Sequence, residues 1–190
     1  MSATFDLSKV AIGAVTVSGK GAKSLTFNSP GVPITATLDP VEICFEPSSY
    51  GDTEGTATRV NVVFRPSEEV AVGLEQVDAW LLKTAAENSL AWFGKAKTVE
   101  QLEENYTSIL KHTKYGAQFR AKMNLAPPAQ TKIWDQQKQP RAAPESWKGA
   151  SVKPRLHLRG VYFMGAAQFG AVVECTDLQI LEEAASSCPF

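Results

Sequence analysis

The segment KYGAQFRAKMNL, residues 114–125, constrains the fold more than any other part of the chain. Apolar side chains recur at every second position: Tyr115, Ala117, Phe119, Ala121, Met123 and Leu125. Positions between them hold Lys114, Gln118, Arg120 and Lys122. Successive side chains of a β-strand point to opposite faces, so this alternation predicts a strand with one core face and one solvated, cationic face. Tyr115 and Phe119 are accordingly expected in the core.

Further β-structure is predicted on both sides of this strand. Residues 1–66 contain short segments rich in β-branched and aromatic residues, each bounded by turn-forming residues. After residue 128 come TKIWD, VKPRLHLRGVYF and FGAVVECTDLQIL. On the second of these segments, inward-facing leucines alternate with outward-facing Arg155, His157 and Arg159. An antiparallel sheet that is wet on one side has this pattern.

Between residues 67 and 111 the apolar period becomes helical. Ser67 can cap a helix, and Leu74, Val77, Leu81 and Ala85 recur at helical spacing. TVEQ at 98–101 fits a capping box. We therefore expect one helix near 68–90 and a second near 98–111.

The pattern as a whole predicts a mainly β fold with inserted helices, of the α+β class. A single domain is expected over residues 1–181, with its helical insertion at about 68–111. The polar stretch at about 136–150 has no apolar periodicity and is expected to be a mobile loop. Residues 182–190 are expected to form a flexible C-terminal tail.

Positive charge is concentrated in one part of the chain, although the formal net charge is only −1. Residues 111–160 hold 11 basic and two acidic side chains, whereas the segments on both sides are acidic. Strand parity places many of these cations on shared outward faces, which is typical of a surface that binds a polyanion. The expected phosphate contacts are Lys111, Lys114, Arg120, Lys122, Lys132, Lys148, Lys153, Arg155 and Arg159.

Two tryptophans lie among these cations. Trp134 shares a strand face with Lys132, and Trp147 stands beside Lys148 in the loop. Cations along a groove together with aromatic rings for base stacking are the means by which proteins hold single-stranded nucleic acid. Two alternatives stay open, namely that Trp134 is a core residue and that Trp147 packs on the domain as a loop anchor.

The sequence lacks the residue patterns of several common nucleotide-binding and enzyme classes. It contains no Walker A, GxGxxG, GxSxG or HExxH motif, and its two histidines are far apart. We expect no enzyme, no cofactor and no metal site, with the three cysteines as unpaired thiols. Without a signal-like N-terminus or a long apolar run, we expect a soluble, intracellular protein of the cytoplasm or host nucleus that binds no membrane.

The segments FRAKMNLAPPAQTKIWD and SVKPRLHLRGVYFMGAAQFGAVVECTDLQIL, with the Pro-Phe ending, carry a family resemblance. The chain resembles the OB-fold single-stranded DNA-binding proteins of tailed phages and large DNA viruses. This implies an OB-fold-like antiparallel barrel with two helices between strands. It also implies sequence-tolerant binding that protects single strands in replication, recombination or repair. The resemblance further implies a possible homodimer and a tail that recruits partner proteins through Glu182, Glu183, Pro189 and Phe190.

Two other functions are compatible with these residues. A viral structural protein, built as a capsid-type β-sandwich, would also use a basic face towards a packaged genome. An RNA-binding accessory protein would use the same cations and rings, since no residue here identifies a 2′-hydroxyl reader.

Overall fold

The computed structural model describes residues 5–28, 33–49, 57–165 and 167–184. A short 3₁₀-helix (Leu7–Lys9) precedes the first strand. The strands are β1 (Ala11–Ile12), β2 (Thr16–Val17), β3 (Lys23–Asn28), β4 (Thr35–Thr37), β5 (Val41–Ile43), β6 (Arg59–Arg65), β7 (Tyr106–Thr107), β8 (Leu110–Thr113), β9 (Gly116–Asn124), β10 (Lys132–Trp134), β11 (Ser151–Met164) and β12 (Gln168–Glu182). The helices are α1 (Glu68–Glu87), α2 (Ser89–Phe93) and α3 (Val99–Glu103).

Five of the strands close into a barrel in the order β5–β6–β9–β12–β11. The barrel closes because β11 pairs antiparallel with both β12 and β5. The pairing of β9 with β12 is parallel, whereas the other neighbours in the barrel are antiparallel. The prediction of an OB-fold-like α+β barrel is confirmed by this five-stranded closure.

The barrel interior follows the alternation read from the sequence. Phe119 and Phe64 are buried opposite each other on β9 and β6, with ring centroids 4.9 Å apart. Tyr115 and Leu125 depart from the prediction because they lie just beyond the two ends of β9. There the strand parity no longer applies, and both side chains are exposed.

A close approach of two strands depends on Gly160. On β11 this residue pairs with Thr26 of β3, next to a register shift in the pairing with β12. A Cβ atom at this position would lie 2.0 Å from the backbone oxygen of Leu25. Glycine therefore allows β11 to leave the barrel and continue against β3.

The first predicted helix is confirmed, whereas the second is much shorter than expected. The Ser67 hydroxyl caps α1, and Thr98 and Gln101 form the capping box that begins α3. The prediction of helix up to residue 111 was wrong, because α3 ends at Glu103 and β7 and β8 follow. The buried residues after α3, Ile109 and Leu110, belong to an extended segment of the chain. Together with Tyr106 they have the spacing of a helical face without forming a helix.

A buried carboxylate explains why the chain is extended after α3. Asp78 of α1 accepts hydrogen bonds from the backbone N–H groups of Ile109 (3.0 Å) and Leu110 (3.4 Å). It also accepts from the hydroxyl groups of Tyr106 and Ser108. Burial, followed by the charge of Asp78, raises the pKa of Tyr106 well above its usual range, so the phenol remains a donor. These contacts hold residues 106–110 against α1 in a non-helical path.

We expect the Asp78→Ala variant to lose about 3 kcal/mol of unfolding free energy, because it leaves buried N–H donors without an acceptor. Urea denaturation followed by circular dichroism measures this loss. The control is Lys83→Ala, an exposed position on the same helix, which should unfold like the wild type. Equal stability of the two variants would contradict the anchoring role of Asp78.

Candidate nucleic-acid interface

The outward side chains of β9, β10 and β11 form one continuous surface, which we call the cationic face. Strands β9 and β10 lie one after the other along the same edge of β12, and β11 lies along its opposite edge. The outward residues of these three strands are Gln118, Arg120, Lys122, Lys132, Trp134, Lys153, Arg155, His157 and Arg159. The pairing register brings the side chains of β9 and β10 to one side of β12 and those of β11 to the other.

Two cross-strand rows lie at the β10 end of this face. In one row, Asp177 of β12 stands between Lys132 and Arg155. In the next, Gln179 stands between Trp134 and Lys153. Trp134 therefore points away from the barrel interior, while its neighbour Ile133 packs against the core. This placement rules out the alternative that Trp134 belongs to the barrel core.

Trp134 forms part of a shallow cleft of about 400 Å³. The cleft is lined by Trp134, Lys138, Lys153, Arg155, Thr37, Asp177 and Gln179. The indole N–H of Trp134 donates to Oδ1 of Asp177 at 3.1 Å, which orients the ring. The cleft thus combines a positioned aromatic ring, three cations and a single carboxylate. A negatively charged, planar ligand suits this chemistry.

Trp134 also borders a larger concavity of about 870 Å³, most of whose lining residues are apolar. Leu125, Pro127, Pro140 and Trp147 are among the residues that line it, together with Lys132 and Arg141. The ring of Trp134 therefore lies between a cationic cleft and an apolar groove.

A second cluster of charges surrounds Glu174, which is only 4% exposed. Its carboxylate lies 3.1 Å from Nη1 of Arg159 and 3.8 Å from Nη2 of Arg59. Lys122 and His157 are its cross-strand neighbours on β9 and β11. The carboxylate holds the two guanidinium groups in place while the cluster keeps an excess of positive charge.

Arg59 was absent from the predicted contacts. It lies outside the basic segment 111–160, and the charge count therefore did not include it. Its alternation with Val60, Val62 and Phe64 in the sequence was the available signal, and β6 pairs it with Asn124 of β9. The pairing of β6 with β9 and of β9 with β12 brings it next to Glu174.

Trp147 is a core residue, which corrects its prediction as an exposed stacking ring. It is 7% exposed, and its backbone N–H donates to Oε1 of Glu46 at 3.0 Å. Ser146 and Lys148 donate to the same carboxylate, and the Ser146 hydrogen bond, followed by that from Lys148, lowers the pKa of Glu46. This network supports the alternative of a loop anchor.

The loop at 136–150 has contacts at several points, and its mobility stays a prediction. The Asp135 carboxylate accepts from the Gln139 N–H, and Trp134 forms a β-bridge with Pro140. At the far end, Glu46 binds residues 146–148. The loop is thereby held beside the cleft, and Lys148 is exposed next to Glu46.

The remaining predicted residues lie at two places. Lys111 and Lys114 belong to the β8–β9 hairpin, where Lys111 pairs with Gln118 on the outward side. At the C-terminal end, Glu182 is the last residue of β12, and Glu183 forms a 2.7 Å ion pair with Arg141. Pro189 and Phe190 lie outside the described residues.

Across residues 5–28, 33–49, 57–165 and 167–184, no three or more His, Cys, Asp or Glu residues are grouped to hold a metal ion. No helix within these ranges is long and apolar enough to cross a membrane. Cys44 and Cys175 are buried free thiols, and burial raises the pKa of both.

The pKa of His157 is shifted by the charges of the cationic face. Burial, followed by the Arg159 cation, lowers its pKa below the usual 6.5, whereas the Glu174 carboxylate opposes this shift. Because the pKa is lower in the folded protein, protonation of His157 favours the unfolded state. The contribution of the neutral imidazole to stability is present above pH about 6.5 and is lost on acidification.

Replacing Glu174 with Gln should lower the pKa of His157 further, because the opposing negative charge is gone. NMR titration of the imidazole measures this, with the two histidine signals assigned by a His112→Gln variant. Asp177→Asn serves as the control, since Asp177 does not contribute to the shift. An unchanged or higher pKa in Glu174→Gln would contradict the described cluster.

Comparison with solved structures finds similar folds in the single-stranded DNA-binding protein of bacteriophage Enc34. Its complex with ssDNA has a TM-score of 0.54 at 9% identity, covering 92% of this chain and 98% of that chain. A second structure of that protein has a TM-score of 0.52 at 7% identity, covering 94% of each chain. The resemblance drawn from the sequence is confirmed at the level of the fold.

Comparison with curated protein sequences finds no match. A family model does match, over residues 55–189, and its description is "Family of unknown function (DUF5871)". The match includes most of the barrel, the helices and the whole cationic face. The chain belongs to this family, DUF5871.

Proposed function

We propose that this protein binds single-stranded DNA without sequence preference along its cationic face. The observation that carries the proposal is the cleft in which Trp134 is bordered by Lys138, Lys153 and Arg155. Cations that follow the backbone and a ring that stacks on any base bind single strands of any sequence. The arginines around Glu174 continue the positive surface towards β9.

The half-buried, outward-facing ring of Trp134 favours a single strand over a duplex. Bases within a duplex already stack on one another, so a stacking ring adds nothing unless a base is unpaired. The apolar groove on the other side of Trp134 offers room for unstacked bases. The Enc34 protein with the same fold was solved in complex with ssDNA, which supports this choice of ligand.

The biological role that follows is protection and organisation of ssDNA during replication, recombination or repair. The protein would act by binding and not by catalysis. The C-terminal segment, with Glu182, Glu183, Pro189 and Phe190, would recruit partner proteins. A pull-down of replication proteins with the wild-type chain and with a chain ending at residue 184, which keeps both acids, tests the role of Pro189 and Phe190 separately.

The substitution Trp134→Ala should reduce affinity for poly-dT about tenfold or more, since one stacked base contributes roughly 1–3 kcal/mol. Fluorescence anisotropy with labelled poly-dT measures this. The matched variant Trp134→Phe keeps a ring and should bind nearly as tightly as the wild type, although it loses the hydrogen bond to Asp177.

Parallel titrations with rU and duplex oligonucleotides define the ligand. Wild-type protein that binds none of the single strands would overturn the proposal. Equal affinity for duplex and dT would contradict the stacking role, and a preference for rU would indicate RNA. A thermal melt of Trp134→Ala separates lost binding from lost folding.

The phosphate contacts predict a salt dependence. For single strands, the slope of log K against log salt changes by about 0.7 for each neutralised phosphate. The double variant Lys153→Ala/Arg155→Ala should therefore show a slope smaller by about 1.4. Lys83→Ala, whose cation lies on α1, should keep the wild-type slope, and an unchanged slope in the double variant would exclude these residues from the interface.

A further inference from the structure

The β8–β9 hairpin presents a tyrosine at its tip. Tyr115 is 68% exposed in the two-residue turn between Thr113 and Gly116. The Nζ atom of Lys114 lies 4.9 Å from the centroid of its ring. An aromatic ring beside a cation is the same combination found in the Trp134 cleft, at a separate place.

The turn holds this ring in a defined position. The Thr113 hydroxyl accepts a hydrogen bond from the Tyr115 N–H at 3.1 Å and donates to the Gly116 carbonyl at 2.9 Å. Gly116 has a φ of 100°, which a glycine adopts without strain. A ring on such a turn loses little backbone freedom when it binds a ligand.

The two faces of the hairpin differ in their packing and charge. On the face towards the helices, Leu110 and Phe119 are buried, and Nε2 of His112 lies 3.1 Å from Oε1 of Glu75 on α1. On the opposite face, Lys111 pairs with Gln118, and Arg120 follows along β9. The face with Lys111, Gln118 and Arg120 is thus a continuation of the cationic face.

The cations of this face therefore lie between two aromatic rings. From the turn, β9 leads past Arg120 to Lys122, and β10 continues along the same edge of β12 to Lys132 and Trp134. The nine residues of β9 alone cover roughly 30 Å at a rise of about 3.3 Å each. A short oligonucleotide cannot reach both ends.

We propose that Tyr115 is a second base-stacking position, so that one DNA strand runs along β9 and β10 from Trp134 to the hairpin tip. Lys111 and Lys114 bind phosphates at the Tyr115 end. This inference rests on the proposed binding of single strands and adds the path of the strand and a second ring.

The test compares dT oligonucleotides of about 4 and about 16 nucleotides, the limits of site sizes in OB folds. Tyr115→Ala should weaken binding of the long oligonucleotide about tenfold and leave the short one nearly unchanged. Tyr115→Phe should restore the wild-type affinity for the long one. Trp134→Ala should weaken both.

An exposed apolar residue far from the hairpin provides the matched control. Leu90 on α2 is 69% exposed, like Tyr115, and Leu90→Ala should bind both oligonucleotides as the wild type does. If the wild type binds and Trp134→Ala weakens it while Tyr115→Ala does not, the second stacking position is overturned and the proposed function stands. If the wild type binds neither oligonucleotide, the proposed function itself fails.

Discussion

The barrel and its outer face both depend on the backbone pairing of β12. One edge of this strand pairs with β11, and the other carries β7, β9 and β10 in succession. Because β11 also pairs with β5, the β11–β12 pairing closes the barrel. Pairing along both edges of β12 also sets the register of the outward side chains. The rows that join Trp134 to Lys153 and Lys132 to Arg155 are consequences of that register.

Acidic residues within the cationic face have a structural role that net charge does not reveal. Glu174 and Asp177 are two of the four acids after residue 160, and the other two are Glu182 at the end of β12 and Glu183. Both project from β12 between basic neighbours, where Glu174 holds two arginines and Asp177 holds the indole of Trp134. Fixing these side chains in the free protein reduces the conformational entropy lost on binding.

Prediction from the sequence succeeded where one local period governs a long element. The alternation of β9 and the helical spacing and cap of α1 are both confirmed, because each element buries a single face of regular geometry. Prediction failed where distant contacts decide the conformation. Residues 106–110 have helical spacing, yet the carboxylate of Asp78 holds them in an extended path, and Glu46 draws Trp147 into the core.

The same distinction between local pattern and distant contacts applies to the candidate site. Strand parity in the sequence determined that Lys122, Lys132 and Arg155 point outward, and that Trp134 shares their face, because side-chain direction is a local property of a strand. Which of these residues become neighbours was decided by strand pairing in the tertiary structure, which joins strands far apart in sequence. Arg59 lies next to Glu174 for this reason. Tyr115 lies in solvent because it belongs to the turn before β9, where the strand parity that predicted a buried ring does not apply.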